Sequence, residues 1–292
     1  MKYLIIGGVA GGATTAARLR RLDENATIVV FEKGPYISYA NCGLPYHIGG
    51  TIPERNSLFL QTPTTFGNRF DADVRVNTEV LAIDRTNKKV RVVNRANGKE
   101  YEEKYDKLLL APGTTAVRPP IPGIDADNIF VLRDVADMDA IKAMVEKAGT
   151  NARAVVVGAG FIGLEMTENL HKCGCAVTVV EKAPQILPPV DWEIAAEVQH
   201  HIIDKGVKLF VNEGVTEFVH HDGGTTVRLQ GGNEIEADFV LVSVGVKPLT
   251  TLAQNAGLEV GELGGIAVNE YVAPAEDCTV PVTLSPAAST KS

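Results

Sequence analysis

Short apolar runs alternate with helical segments along this chain, and the alternation occurs twice. Tyr3-Leu4-Ile5-Ile6 leads through a glycine turn and the amphipathic segment 13–22 into Ile28-Val29-Val30-Phe31, then Glu32. Ala154-Val155-Val156-Val157 leads through a second glycine turn and the segment 164–170 into another apolar run, closing at Glu181. Strands alternating with helices predict parallel sheets with right-handed crossovers, so the fold class is α/β with two Rossmann-like domains. Between Arg75 and Tyr101, alternating apolar positions and the turn Asn97-Gly98 predict a small antiparallel meander. Residues 105–113 and 238–245 read as buried strands ending in glycine. The proline-rich run 118–123 reads as a crossover. These breaks divide the chain into 1–117, 118–245, and a return of 246–292 to the first domain.

The second glycine turn, Gly158-Ala159-Gly160-Phe161-Ile162-Gly163, carries the full dinucleotide fingerprint between a strand and a helix. Its first glycine allows the tight turn, its second admits the pyrophosphate to the backbone, and its third lets helix and strand pack closely. Helix N-terminal amides then face the phosphates. Glu181 follows at the distance where a carboxylate accepts a ribose 2′-OH. The first turn keeps Gly7 and Gly12 at the outer positions but has Val9 in the middle, with Gly8 and Gly11 alongside and Glu32 as its acid. A glycine turn with no ligand is the competing reading for this copy. Two dinucleotide sites flanking one reactive cysteine imply a flavin (FAD) passing electrons with a nicotinamide (NADH or NADPH).

That cysteine is Cys42, in Ser38-Tyr39-Ala40-Asn41-Cys42-Gly43-Leu44-Pro45-Tyr46-His47. It lies shortly after the first β-α-β pattern, where the reactive end of a bound dinucleotide is expected. An ordinary buried thiol is the bland alternative. The polar neighbours Ser38 and Asn41 and the following glycine argue for a redox role, in which the thiolate is the nucleophile.

Composition narrows the partners. The 292 residues are 45% hydrophobic and 22% charged, as in a globular chain of about two domains, and the net charge of −8 argues against nucleic acid. No apolar run is long enough for a membrane span. The apolar start resembles a signal peptide superficially, but the arginine-bearing helix that follows reads as a β-α unit, so a cytoplasmic location is expected. Cys42, Cys173, Cys175 and Cys278 form no disulfide framework. Cys173 and Cys175 beside His171 make an incomplete ligand set with spacing unlike zinc sites, so no metal is expected. The adjacent pairs His200-His201 and His220-His221 read as solvated surface.

Taken together, the segments 6–13, 38–50, 105–113, 157–170 and 237–248 resemble the flavin-dependent pyridine nucleotide-disulfide oxidoreductases. The resemblance is strongest to the branch of coenzyme A-disulfide reductases and NADH-dependent persulfide or polysulfide reductases. It runs from Met1 to about Tyr271, and the string Asn41-Cys42-Gly43-Leu44-Pro45-Tyr46 and the Val9 variant of the first turn are specific to that branch. Dithiol members carry a Cys-x4-Cys pair, whereas the upstream position here is Ser38, so Cys42 acts alone. NADH peroxidases and oxidases place a histidine in the first turn. Ala10 stands there instead, which argues against peroxide or oxygen as the main acceptor.

The resemblance implies cofactor contacts at Gly7, Gly8, Ala10, Gly11, Gly12, Glu32, Lys33, Val80, Ala111, Pro112, Gly113, Arg133, Gly158, Gly160, Phe161, Ile162, Gly163, Glu165, Glu181 and Gly245. For Glu165 a capping or packing role is the equal alternative, and Lys182 beside Glu181 leaves NADPH open. Thr14, Arg18 and Arg21 lie at i, i+4 and i+7, one stripe of the first helix. With Ser38 and Asn41, and more weakly Arg69, they are the implied contacts for a coenzyme A-type disulfide or persulfide. A solvated basic face near the helix C-terminus is the alternative. The family continues past residue 271 to a second flavin motif and a dimerisation domain, making a homodimer. Here the residues from Val272 onward depart from that pattern and end in a low-complexity tail. A truncated member is therefore expected, and a non-catalytic nucleotide-binding fragment is the runner-up.

Overall fold

The computed structural model describes residues 1–273, so the atypical tail, Cys278 included, lies outside the described residues. The described residues fold as two units, each built from separate stretches of the chain. The first comprises Met1–Ala40, Phe59–Thr115 and the described residues from Lys247 on; the second comprises Asn41–Leu58 and Ala116–Val246. Two of the boundaries read from sequence fall within two residues of these. The difference is the segment bearing Cys42, which groups with the second unit rather than the first.

The first unit starts with β1 (Lys2–Ile6), α1 (Ala10–Leu22) and β2 (Thr27–Phe31). The helix begins three residues before the position read from sequence, because Ala10, Gly11 and Gly12 wind into its first turn. After the excursion through α2 (Leu44–Ile48) come α3 (Pro63–Phe70) and β3 (Ala72–Arg75). The start of α3 is fixed by Thr62, whose hydroxyl accepts from the Thr65 amide while the Thr65 hydroxyl accepts from the Thr62 amide; Pro63 occupies the first turn. The predicted meander is β4 (Thr78–Asp84), β5 (Lys89–Asn94) and β6 (Glu100–Lys104), antiparallel throughout. β7 (Lys107–Leu110) returns to the parallel sheet, whose order is β3-β2-β1-β7, and β8 (Thr114–Ala116) leads out of it.

The second unit repeats this plan. It runs through β9 (Ile129–Phe130), α4 (Val135–Ala148), β10 (Arg153–Val157), α5 (Phe161–Lys172), β11 (Ala176–Val180), α6 (Trp192–Asp204) and β12 (Lys208–Phe210). A second meander of β13 (Val215–His221), β14 (Gly224–Leu229) and β15 (Glu234–Ala237) precedes β16 (Phe239–Val242). The parallel sheet has the order β12-β11-β10-β16-β9. β17 (Val246–Pro248) and α7 (Thr251–Asn255) carry the chain back into the first unit.

Alternation along the strands explains both layers. In the first unit Ile5, Ile28 and Val30 face α1 and α3 through Ala13, Ala16 and Phe66. Leu4, Ile6, Val29 and Phe31 face the meander through Val80, Val90 and Val92. In the second unit Val155, Val157, Val240 and Val242 pack on Phe218, Val227 and Leu229 of its meander. Strands buried on both faces must be apolar at every position, which is why β1 and β10 read as continuous runs rather than alternating ones. The strand order reverses at β1 in the first sheet and at β10 in the second, and the two glycine turns sit at the carboxyl ends of these strands. That is where open α/β sheets place ligands. Among the described residues no helix is long and apolar enough to cross a membrane.

Candidate functional site

The two glycine turns match bond for bond. Gly7 N donates to Phe31 O at 2.8 Å, and Gly158 N donates to Val180 O at 2.8 Å. Ala111 N donates to Ile6 O at 2.8 Å, and Ser243 N donates to Val157 O at 2.7 Å. A Cβ on Gly7 would lie 2.0 Å from Ala111 O, and one on Gly158 would lie 2.4 Å from Ser243 O. A Cβ on Gly12 would lie 1.7 Å from Gly7 O, and one on Gly163 would lie 2.0 Å from Gly158 O. These outer glycines are therefore demanded by the chain's own backbone. Gly160 is different, because a Cβ there would meet nothing within 4 Å. Its missing side chain leaves open space in front of α5, whose first turn has no side-chain cap. Unpaired N–H groups at a helix N-terminus facing open space fit a pyrophosphate. The start of α1 is likewise without a side-chain cap, with half-buried Val9 at the cap position.

The acids do more than the sequence implied. Glu32 Oε2 accepts from Gly8 N at 2.7 Å and its Oε1 accepts from Gly34 N at 2.8 Å. Glu181 Oε2 accepts from Ala159 N at 2.6 Å and its Oε1 accepts from Ala183 N at 2.7 Å. Each carboxylate ties its glycine turn to the loop beyond the next strand, with lone pairs left for a ribose hydroxyl. This bracing fixes the carboxylate before any ligand arrives. Gly8 has a reason invisible in the sequence: Ile37 Cγ2 would be 2.7 Å from its Cβ.

The other expected cofactor contacts lie on several elements. Ala111, Pro112 and Gly113 follow β7, and Gly113 O accepts from Leu249 N at 3.0 Å. Gly245 is exposed after β16, with open space where a Cβ would be. Ala10 is exposed and Gly11 half-buried at the start of α1. Phe161 and Ile162 are exposed apolar side chains beside Gly160. Glu165 lies on α5, where burial and the neighbouring Glu168 raise its pKa. Lys33 pairs with Glu79 at 3.4 Å, and Arg133 N donates to Asp137 Oδ2 at 2.8 Å. The Val80 side chain is buried in the core of the first unit, so only its main chain can serve a ligand.

Cys42 is exposed in a 3-10 turn, Asn41–Gly43, that runs directly into α2. Cys173 is half-buried with its thiol donating to Ile48 O, and burial raises its pKa. Cys175 is buried, and burial together with Cys173 pushes its thiol up to about 11. Among the described thiols only Cys42 is presented to solvent. Asn41 Oδ1, one residue away, is buried with no hydrogen-bond partner. In the first unit Ser38 adopts a left-handed backbone, φ 46°, and its amide donates to Gly8 O at 2.9 Å, tying this loop to the glycine turn. For a non-glycine residue that conformation is uncommon and is characteristic of constrained loops.

The arginines of α1 separate by role. Arg20 donates to the carbonyls of Asp23, Glu24, Ala26, Phe70 and Asp71, clipping the end of α1 to the end of α3. Thr14, Arg18 and Arg21 are exposed and make no hydrogen bond or ion pair among the described residues. Arg69 is also exposed, its guanidinium 5.3 Å from the Phe70 ring centroid. The stripe read from spacing does not include Arg20, and the clip that Arg20 makes needs the end of α3.

A family model described as pyridine nucleotide-disulphide oxidoreductase matches residues 1–278. A coenzyme A disulfide reductase from Staphylococcus haemolyticus is 34% identical over 269 residues, covering 92% of this chain and 59% of that protein. An NADH oxidase from Methanocaldococcus jannaschii is 36% identical over 271 residues, covering 92% and 60%. The crystal structure of the reduced Bacillus anthracis CoADR-RHD superposes with a TM-score of 0.93 at 44% identity, covering 96% of this chain and 50% of that one. An NAD-dependent persulfide reductase from A. fulgidus gives 0.92 at 38% identity, covering 97% and 52%. The chain thus spans about 60% of the length of these curated relatives. With both nucleotide turns and Cys42 inside the matched region, the chain belongs to the pyridine nucleotide-disulphide oxidoreductase family.

Proposed function

We propose that this chain is the nucleotide-binding and cysteine-bearing part of an NAD(P)H-dependent flavoprotein that reduces a low-molecular-weight disulfide or persulfide of coenzyme A type. The observation that carries this reading is the exposed Cys42 thiol, the one described cysteine presented to solvent, in a chain with two matched dinucleotide cradles. Gly7 to Gly12 with Glu32 would hold FAD, and Gly158 to Gly163 with Glu181 would hold the nicotinamide. Bound flavin would supply the relay that accepts a hydride from NAD(P)H and returns two electrons to a disulfide.

The chain's own residues do the rest. The Cys42 thiolate attacks one substrate sulfur, the S–S bond breaks, and the first thiol leaves as a thiolate that takes up a proton. Cys42 is then bonded to the second half, and two electrons with a further proton release it and regenerate the thiolate. One NAD(P)H and one proton are consumed for two thiols formed. Glu181, held rigid by two amides, would meet a 2′-phosphate with like charge, which favours NADH.

Thr14, Arg18 and Arg21 form an exposed stripe without partners among the described residues, which suits the phosphates of a coenzyme A substrate. Replacing both Arg18 and Arg21 by alanine is expected to raise the Michaelis constant for a coenzyme A disulfide about tenfold. Charge-assisted contacts are worth about 1.5–3 kcal/mol each, and solvent screening at an exposed stripe reduces that. The constant for a small uncharged disulfide should not move; an equal rise for both substrates would return the stripe to solvated surface.

The alternative to this reading is nucleotide binding without turnover. The visible spectrum separates the two. A flavin absorbance band together with NADH-dependent thiol release supports the reductase, and colourless protein that still binds NADH supports the second reading. Oxygen consumption in the same assay tests NADH oxidase activity, for which exposed Ala10 offers no imidazole.

A further inference from the structure

The segment carrying Cys42 cannot hold a shape on its own. It consists of a 3-10 turn, the five-residue α2, and a second 3-10 turn, Arg55–Leu58. Helices this short are unstable alone in water. Inside the segment, His47 is buried and its Nδ1 lies 2.7 Å from Ile52 O, while Ile52 N donates to Tyr46 O at 3.0 Å. Residues 46–52 are thus a closed loop that needs an external anchor.

The anchors come from α4 and α5 of the same unit. Arg55 Nε donates to Asp139 Oδ1 at 2.8 Å and Arg55 Nη2 to Asp139 Oδ2 at 2.7 Å. One turn further along α4, Lys142 Nζ donates to His47 O at 3.3 Å. Cys173 donates to the next carbonyl, Ile48 O, at 3.4 Å. Gly49 lies against fully buried Asn169, whose Oδ1 would be 2.0 Å from a Cβ at that position. The cation and the thiol cover the last carbonyls of α2, and the close approach sets its distance from α5. The Arg55–Asp139 pair joins the far end of the segment by two parallel bonds, the geometry that fixes direction as well as distance.

We propose that Asp139 and Arg55 are positioning residues for Cys42, a two-bond latch that holds the redox segment on the nucleotide-binding unit and sets how far the thiol is exposed. The proposal rests on the redox reading of Cys42. It assigns a role to α4, the helix that carries Asp139 and Lys142.

The test compares Asp139→Asn, which keeps the shape and removes the charge, with the exchanged pair Arg55→Asp/Asp139→Arg. Amide hydrogen exchange is read across the unit, and alkylation of Cys42 by iodoacetamide is followed by mass spectrometry. In Asp139→Asn, exchange of residues 44–58 and alkylation of Cys42 should each accelerate about three- to fivefold, as for a part-exposed ion pair. Exchange in β10 and β11 and alkylation of Cys175 should stay as they were. The exchanged pair should recover at least half of the protection. Unchanged exchange in 44–58, equal acceleration across the whole unit, or no recovery in the exchanged pair would each overturn the latch. Failure of the redox reading looks different: Cys42→Ser would still release thiol, while the exchange data would be unaffected.

Discussion

Cys42→Ser is expected to lower NADH-dependent disulfide reduction on the order of 10³-fold or more, while flavin content and NADH binding stay unchanged. Serine is nearly the same size, so the exposed turn Asn41–Gly43 should keep its shape. What is lost is the nucleophile: a hydroxyl is not ionised near neutral pH and cannot form the mixed disulfide. No other described thiol can take over. Cys173 is half-buried with its thiol donating to Ile48 O, and Cys175 is buried with its pKa pushed up to about 11. Stopped-flow absorbance should show the flavin band still bleached by NADH, with no thiol released to a chromogenic thiol reagent. Thiol release at the parental rate would remove Cys42 from the mechanism.

Gly158→Val and Gly160→Val, two residues apart in one turn, are expected to fail in opposite ways. At Gly158 the backbone has φ 100° and an added Cβ would lie 2.4 Å from Ser243 O. Backbone strain and overpacking together cost about 3–5 kcal/mol, a large part of a domain's total stability. Gly158→Val should therefore melt far earlier or accumulate as insoluble protein. At Gly160 the backbone is extended, φ −76° and ψ −173°, and a Cβ meets nothing within 4 Å. Gly160→Val should melt within a few degrees of the parent, since a poorer cap costs only about 1 kcal/mol. Its NADH affinity should fall about 100-fold, corresponding to one or two lost charge-assisted hydrogen bonds at roughly 1.5–3 kcal/mol each. Calorimetry for melting and fluorescence titration for NADH read the two effects separately. If Gly160→Val bound NADH normally and lost flavin instead, the two cradles would have been assigned in reverse.

Much of the layout was legible because each signal was local. Continuous apolar runs marked strands buried on both faces, and Gly158, Gly160 and Gly163 marked the turn between β10 and α5. The predicted meander between Arg75 and Tyr101 appears as β4, β5 and β6. Boundaries were less legible: α1 begins at Ala10 and α5 at Phe161, each three residues earlier than the patterns read. A helix starting inside a glycine motif carries no apolar periodicity in its first turn. The second meander, β13 to β15, escaped notice as a repeat of the first.

The sequence by itself determined the chemistry on offer: two nucleotide turns, their acids at Glu32 and Glu181, and a single candidate thiol at Cys42. These follow from residue type and short spacing, because a glycine turn and its helix are made by neighbours in the chain. Tertiary structure decided how those residues are held. Only folding brings Ala111 O against Gly7 and Ser243 O against Gly158, so only folding separates glycines that the backbone requires from Gly160, which it does not. It also turned both acids into braces, made Arg20 a clip while Arg18 and Arg21 have no partner among the described residues, and placed the Cys42 segment on α4 through Arg55 and Asp139. Arg55 and Asp139 are 84 residues apart. No local pattern encodes such a pairing, because neither residue lies within reach of the other until the chain between them has folded.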